Sequence, residues 1–150
     1  MRHLFILFSI VTLAFASVAS AAESPRDLVS KLYSLHDEGK GPLENPAKKQ
    51  ALEEFFDSNL TRLYLRDQKE ADGEVGRLDF DPLYDAQDVE IKELKITSDE
   101  DEEAEVSVTF QNMGEAQRVV HLLTETDEGW RIRDIQYADG RSLKKILEAD

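Results

Sequence analysis

The sequence predicts an α+β domain: N-terminal helices packed on a curved four-stranded antiparallel sheet, a cone-shaped roll, followed by a short C-terminal helix. Three observations carry this prediction. Apolar residues recur at helical spacing between residues 24 and 73. They alternate at period two between residues 89 and 137. The clusters SDEDEE, NMGE and TDEG cut the alternating half into four runs.

The first helix opens at Ser24-Pro25-Arg26-Asp27. Serine caps it, proline fits the first helical position, and the acid three residues after the cap faces free amides. Leu28, Val29, Leu32, Tyr33, Leu35 and His36 share one broad arc. Gly39-Lys40-Gly41-Pro42 stops the helix. A second helix is expected to begin at Asn45-Pro46 and to carry Leu52, Phe55 and Phe56. Asp57-Ser58-Asn59 either breaks it or bends it; beyond, Leu60, Leu63, Tyr64 and Ala71 share a face, and Gly73 closes the segment.

Residues 89–97, 104–110, 116–126 and 130–137 are the strand runs. The first and last break their own parity. Val89 and Ile91 disagree with Leu94 and Ile96, and Trp130 and Ile132 with Ile135 and Tyr137. A bulge in each restores the alternation and bends the sheet. Gly140-Arg141-Ser142 then opens a short helix with Leu143, Ile146 and Leu147.

Residues 1–21 read as a secretory signal peptide: Arg2 and His3, an apolar run over 4–15 too short to span a bilayer, and Ala19-Ser20-Ala21 as the small-x-small cleavage site. Residues 22–150 are then a single domain, periplasmic or secreted, with no stable membrane anchor after cleavage. The chain has no cysteine, which excludes disulfides and thiolate chemistry. All 32 acids and 17 of the 18 Lys and Arg follow residue 21, leaving −15. Such a surface repels nucleic acid. No phosphate loop, nucleophile elbow or HExxH occurs, so no cofactor is expected.

Asp67 falls inside the apolar arc of its helix, where an isolated charge is costly. It is either a general acid or base or a fastener that accepts bonds from loop amides. The stretch GRLDFDPLYDAQD (76–88) packs four aspartates beside large apolar side chains. Asp81 before Pro82 is expected to cap a short turn. Asp79, Asp85 and Asp88 have no such simple duty. A calcium loop over 79–88 is a weak alternative, because Leu83 and Tyr84 occupy the third-ligand and glycine positions of the twelve-residue pattern. His36 can pair with a buried aspartate as an acid–base dyad or simply sit satisfied in the core. His121, in register with Val119 and Leu123, is equally ambiguous. Trp130, with Tyr33, Tyr64 and Tyr84, lines either an apolar pocket or the ordinary core.

The ordered segments LYLRD (63–67), EVGRLDFDPLYDAQD (74–88), VSVTFQNMGE (106–115), GWRIRDIQY (129–137) and GRSLKKIL (140–147) resemble a bacterial envelope family catalogued as domain of unknown function 3828. The resemblance covers nearly all of the expected mature chain. It implies export and an α+β roll of the nuclear-transport-factor-two or cystatin type. It assigns no activity. Some members are lipoproteins, but this chain lacks the cysteine that carries the lipid. If the family's repeated acids mark a site, the matching positions are Asp67, Asp79, Asp81, Asp88 and Asp134. Asp134 shares parity with Trp130 and Ile132, so it too is expected to face inward.

The expected function is that of a non-enzymatic exported binding or accessory protein. It would meet an envelope protein or a small ligand through a concave pocket or the acidic surface. The alternative is a pocket hydrolase or isomerase with Asp67 or His36 as general base.

Overall fold

The fold described here is that of a computed structural model, covering residues 23–43, 46–98 and 104–149. The signal-peptide expectation, the Asn45 helix start and the acidic hairpin at 99–103 fall outside the described residues. The element order is α1 (Pro25–Asp37), α2 (Lys49–Glu53), α3 (Ser58–Ala71), β1 (Ile91–Ser98), β2 (Glu105–Asn112), β3 (Glu115–Thr126), β4 (Gly129–Tyr137) and α4 (Leu143–Glu148). This is the α+β arrangement expected from the sequence.

Local chemistry sets the helix boundaries. Ser24 Oγ accepts the Asp27 amide and donates to the Asp27 carboxylate, a reciprocal cap for α1. Asp57 breaks the helical run and caps α3, its Oδ1 accepting the Leu60 amide at 2.7 Å. Asp72 at φ 48° and Gly73 at φ 88° end α3.

The second helix is shorter than the sequence suggested. It starts at Lys49 and stops at Glu53. Ala47 donates its amide to Gln68 Oε1 on α3, which holds the chain before α2 in a non-helical conformation. Phe55 and Phe56 leave the helix because the backbone there pairs with β4 instead: Ile132 N–H donates to Phe55 O at 2.7 Å, and Asp57 N–H to Ile132 O at 2.9 Å. Phe55 and Phe56 still reach the core.

The sheet is an open antiparallel meander in the order β1-β2-β3-β4. Both expected bulges are present. In β1, Glu93 and Leu94 stand opposite Phe110 alone, with Glu93 at φ 55°. In β4, Arg133 is the extra residue between Asp134↔Leu122 and Ile132↔Leu123. The extra residues bring Leu94 and Ile135 back onto the face their strands need. Met113 and Gly114, both at positive φ, make the two-residue β2–β3 turn. One sheet face carries Val106, Val108, Phe110, Val119, Leu123, Ile132 and Ile135, all packed with Leu28, Leu32, Leu52, Leu60 and Leu63 of the helices. Among the described residues, no helix is long and apolar enough to cross a membrane.

Candidate functional site

Between α3, the end of α1 and residues 73–82 lies a groove of about 480 Å³. Its polar lining includes His36, Tyr64, Asp67, Gln68, Glu74 and Asp81. Its apolar walls are Leu43, Ala71, Val75, Leu78, Phe80 and Pro82. The volume is within the ordinary range for small-ligand sites, and an apolar wall with few polar groups is their usual lining.

At one end stands Asp67. Its side chain is 7 % exposed. Oδ1 accepts the Arg77 amide at 3.0 Å and the Arg77 guanidinium at 3.0 Å. The same guanidinium bonds Glu70 and, through Nε, the Ala149 carbonyl. Asp67 therefore ties α3 to the residue-77 loop and, through Arg77, to the chain after α4. The loop comes so close that a Cβ on Gly76 would lie 2.9 Å from Asp67 Cγ. The sequence singled out Asp67 and offered, as one of two readings, a fastener that accepts bonds from loop amides. The amide it accepts is that of Arg77, just after Gly76. The signal that could have found it is the lone glycine followed by arginine within a carboxylate-rich stretch.

At the other end stands the pair of His36 Nε2 and Asp81 Oδ2, 2.6 Å apart with side chains 23 % and 21 % exposed. The hydrogen bond to Asp81 raises the imidazole pKa from its ordinary 6.5, against the opposing effect of burial. Asp81 also caps the turn that follows, its Oδ1 accepting the Leu83 amide at 2.9 Å. The expected cap and the possible histidine partner are thus one residue. His36 and Asp81 also line a second groove, with Asp37, Tyr84, Val89 and residues of β1.

The turn at 81–86 is clamped from every side. Tyr33 donates its hydroxyl to Leu83 O and Tyr137 donates to Pro82 O. Tyr84 donates to Asp37, and Arg141 bonds Asp85 while lying 5.3 Å from the ring centres of both Phe80 and Tyr137. Burial raises the phenol pKa values of Tyr33, Tyr84 and Tyr137. It also raises that of the Asp85 carboxyl, against the pull of Arg141. The carboxylates of 76–88 thus sit beside apolar side chains because the segment is a core plug, with Leu83 and Tyr84 buried and the acids turned to separate partners. Among the described residues Asp79 reaches only Gln87, at 3.4 Å, and Asp88 is exposed. Among the described residues no group of three or more His, Asp or Glu converges on a common point that could hold a metal ion.

The remaining residues divide between the groove and the scaffold. Tyr64 lines the groove and donates to Leu43 O at 3.1 Å; burial pushes its phenol up to about 12, against a hydrogen bond with Gln68. Asp134 is not in the groove. Its Oδ1 accepts the Ile135 and Lys144 amides, which fixes the first turn of α4 to β4. It was expected to share the inward face of Ile132, but the Arg133 bulge between them shifts the alternation, so Ile135 takes that face and Asp134 the other. Trp130 packs half-buried at the start of β4, away from the groove. Tyr33 and Tyr84 belong to the core. His121 is fully buried and edge-on to Tyr33, with no hydrogen bond of normal geometry at either ring nitrogen. Burial drives its imidazole down to about 3, with the backbone of its cross-strand neighbour Val106 pulling the other way.

The groove combines one buried Asp–Arg fastener, one half-buried His–Asp pair and an apolar wall. No family model, curated protein or solved structure matches the chain.

Proposed function

We propose that this protein is a non-enzymatic, exported binding or accessory protein, periplasmic or secreted, which takes its ligand or partner in the groove between α3 and residues 73–82. The observation that carries this reading is the state of the groove's polar groups. Asp67 is committed to Arg77, Asp81 to His36 and the Leu83 amide, and Tyr64 donates to Leu43. Groups already bonded within the protein can orient a ligand, and they remain satisfied when it leaves. The apolar wall supplies the driving force, and Val75, 73 % exposed at the rim, gives it reach toward a partner. The resemblance to domain of unknown function 3828, the roll kinship and the signal peptide at 1–21 belong to the same proposal and rest on the sequence segments that carry them.

A photo-crosslinking residue in place of Val75, in intact cells, tests it. The expected result is one specific adduct, lost when Leu78→Arg is added. Recovery of no adduct, together with turnover of a small molecule by the purified protein, would overturn the reading.

One observation favours an enzyme instead. His36 presents a carboxylate-supported imidazole whose Nδ1 has no partner among the described residues, the arrangement a general base requires. Asp67 is less suited, because its Oδ1 already accepts two bonds from Arg77. On this alternative, His36→Gln abolishes hydrolase or isomerase turnover while the protein stays folded, its melting temperature lower by only the few degrees that about 1 kcal/mol implies.

A further inference from the structure

We infer that the groove takes a small amphipathic cation: an ammonium or similar group on a short apolar body. This rests on the binding reading above and names the ligand class for it. The argument begins with the walls. Leu43, Ala71, Val75, Leu78, Phe80 and Pro82 form an apolar lining, and among the described residues Val75 is exposed where few other large apolar side chains are. A ligand without an apolar body leaves that lining uncovered.

The charges then choose the head group. Among the described residues, four ionisable side chains other than tyrosine line the groove: His36, Asp67, Glu74 and Asp81. The imidazole is the sole cation among them and stands 2.6 Å from Asp81. Asp67 is held by Arg77 from behind. Glu74 lies at the rim beside Val75, and among the described residues its carboxylate has no ion pair and no hydrogen bond. An anionic head entering here meets three carboxylates and finds the one lining cation engaged. A cationic head meets Glu74 unopposed, while the charges of Asp67 and Asp81 are largely offset by Arg77 and His36. The net charge of the whole chain, −14, acts in the same direction at longer range.

The test compares three probes of equal chain length: octylammonium, octanol and octanoate. Each is titrated into the full chain below its self-association concentration, while the backbone amide resonances of Glu74, Val75 and Gly76 are followed. The expected order is octylammonium, then octanol, then octanoate, with about a tenfold gap between first and last at low ionic strength. The gap closes to about twofold at high salt, where surface charges are screened. Glu74→Gln weakens octylammonium by about two- to threefold, the scale of one exposed ion pair, and leaves octanol unchanged. If octanoate binds as tightly as octylammonium, or tighter, the charge inference is overturned while the groove remains a binding site. If no probe moves those amides at millimolar concentration, the binding reading itself fails, and the inference with it.

Discussion

The two ends of the groove use the same device under different control. Each fixes a loop to a helix through a carboxylate and a cation. At the 76–77 end the carboxylate is buried on α3 and the cation is an arginine, which stays charged at any ordinary pH. At the 81–86 end the carboxylate is half-exposed on the loop and the cation is a histidine, whose charge depends on pH and whose pKa the bond to Asp81 raises from its ordinary 6.5. The first end has few other supports, since residues 73–76 are largely exposed. The second is held by Tyr33, Tyr137, Tyr84 and Arg141 as well. A single strong bond therefore carries more at the first end than at the second.

The largest expected effect comes from breaking the first end. Asp67→Ala removes a buried acceptor of two charge-assisted bonds and should lower stability by about 3 kcal/mol, read from urea unfolding midpoints. An effect below about 1 kcal/mol, the size of a surface pair, would mean that Asp67 fastens nothing. Gly76→Ala comes next, at about 2 kcal/mol, because its Cβ would collide with the Asp67 carboxyl. Asp67→Ala opens that space, so the double variant should be less than additive by about 1 kcal/mol. Strict additivity would show that the contact between Gly76 and Asp67 is not what constrains the position.

Breaking the second end is milder and depends on pH. The His36 pKa is raised in the folded state, so the pair's contribution is complete below the ordinary 6.5 and is lost as pH rises through the folded value. His36→Gln should cost about 1 kcal/mol at pH 6, after allowance for solvent screening, and less at pH 9. A cost that grows with pH would reverse the assignment. His121 has the opposite sign. Its folded value of about 3 makes stability fall as pH drops below 6.5, so the His36 comparison is cleanest in a His121→Leu background. The smallest effect is that of Glu74→Gln, within about 0.5 kcal/mol, because an exposed, unpaired carboxylate contributes little to folding.

Much of this architecture was legible in the residues. The caps at Ser24 and Ser142, the run of helices before strands, and both bulges follow from spacing alone. A parity break in a half-buried strand has few remedies, and a bulge is the simplest. Asp67 was visible as a polar residue in an apolar arc, and Asp81 as the cap before Pro82. The second helix was less legible. Phe55 and Phe56 fit a helix by periodicity, but pairing with Ile132, some 76 residues later, overrode it. The partners of the acids were not legible either. If the resemblance marks a site, it marks Asp67, Asp79, Asp81, Asp88 and Asp134, and these answer to Arg77, Gln87, His36, solvent and the Lys144 amide.

The sequence by itself determined the class of fold, the approximate extent of each strand and that Asp67 needed a partner, because periodicity and burial cost act within a few residues of each position. Only the tertiary structure decided who those partners are. Arg77 reaches Asp67 ten residues back, and His36 reaches Asp81 forty-five residues on. These pairings depend on how helix and loop approach one another, and that approach is set by the shared core beneath them.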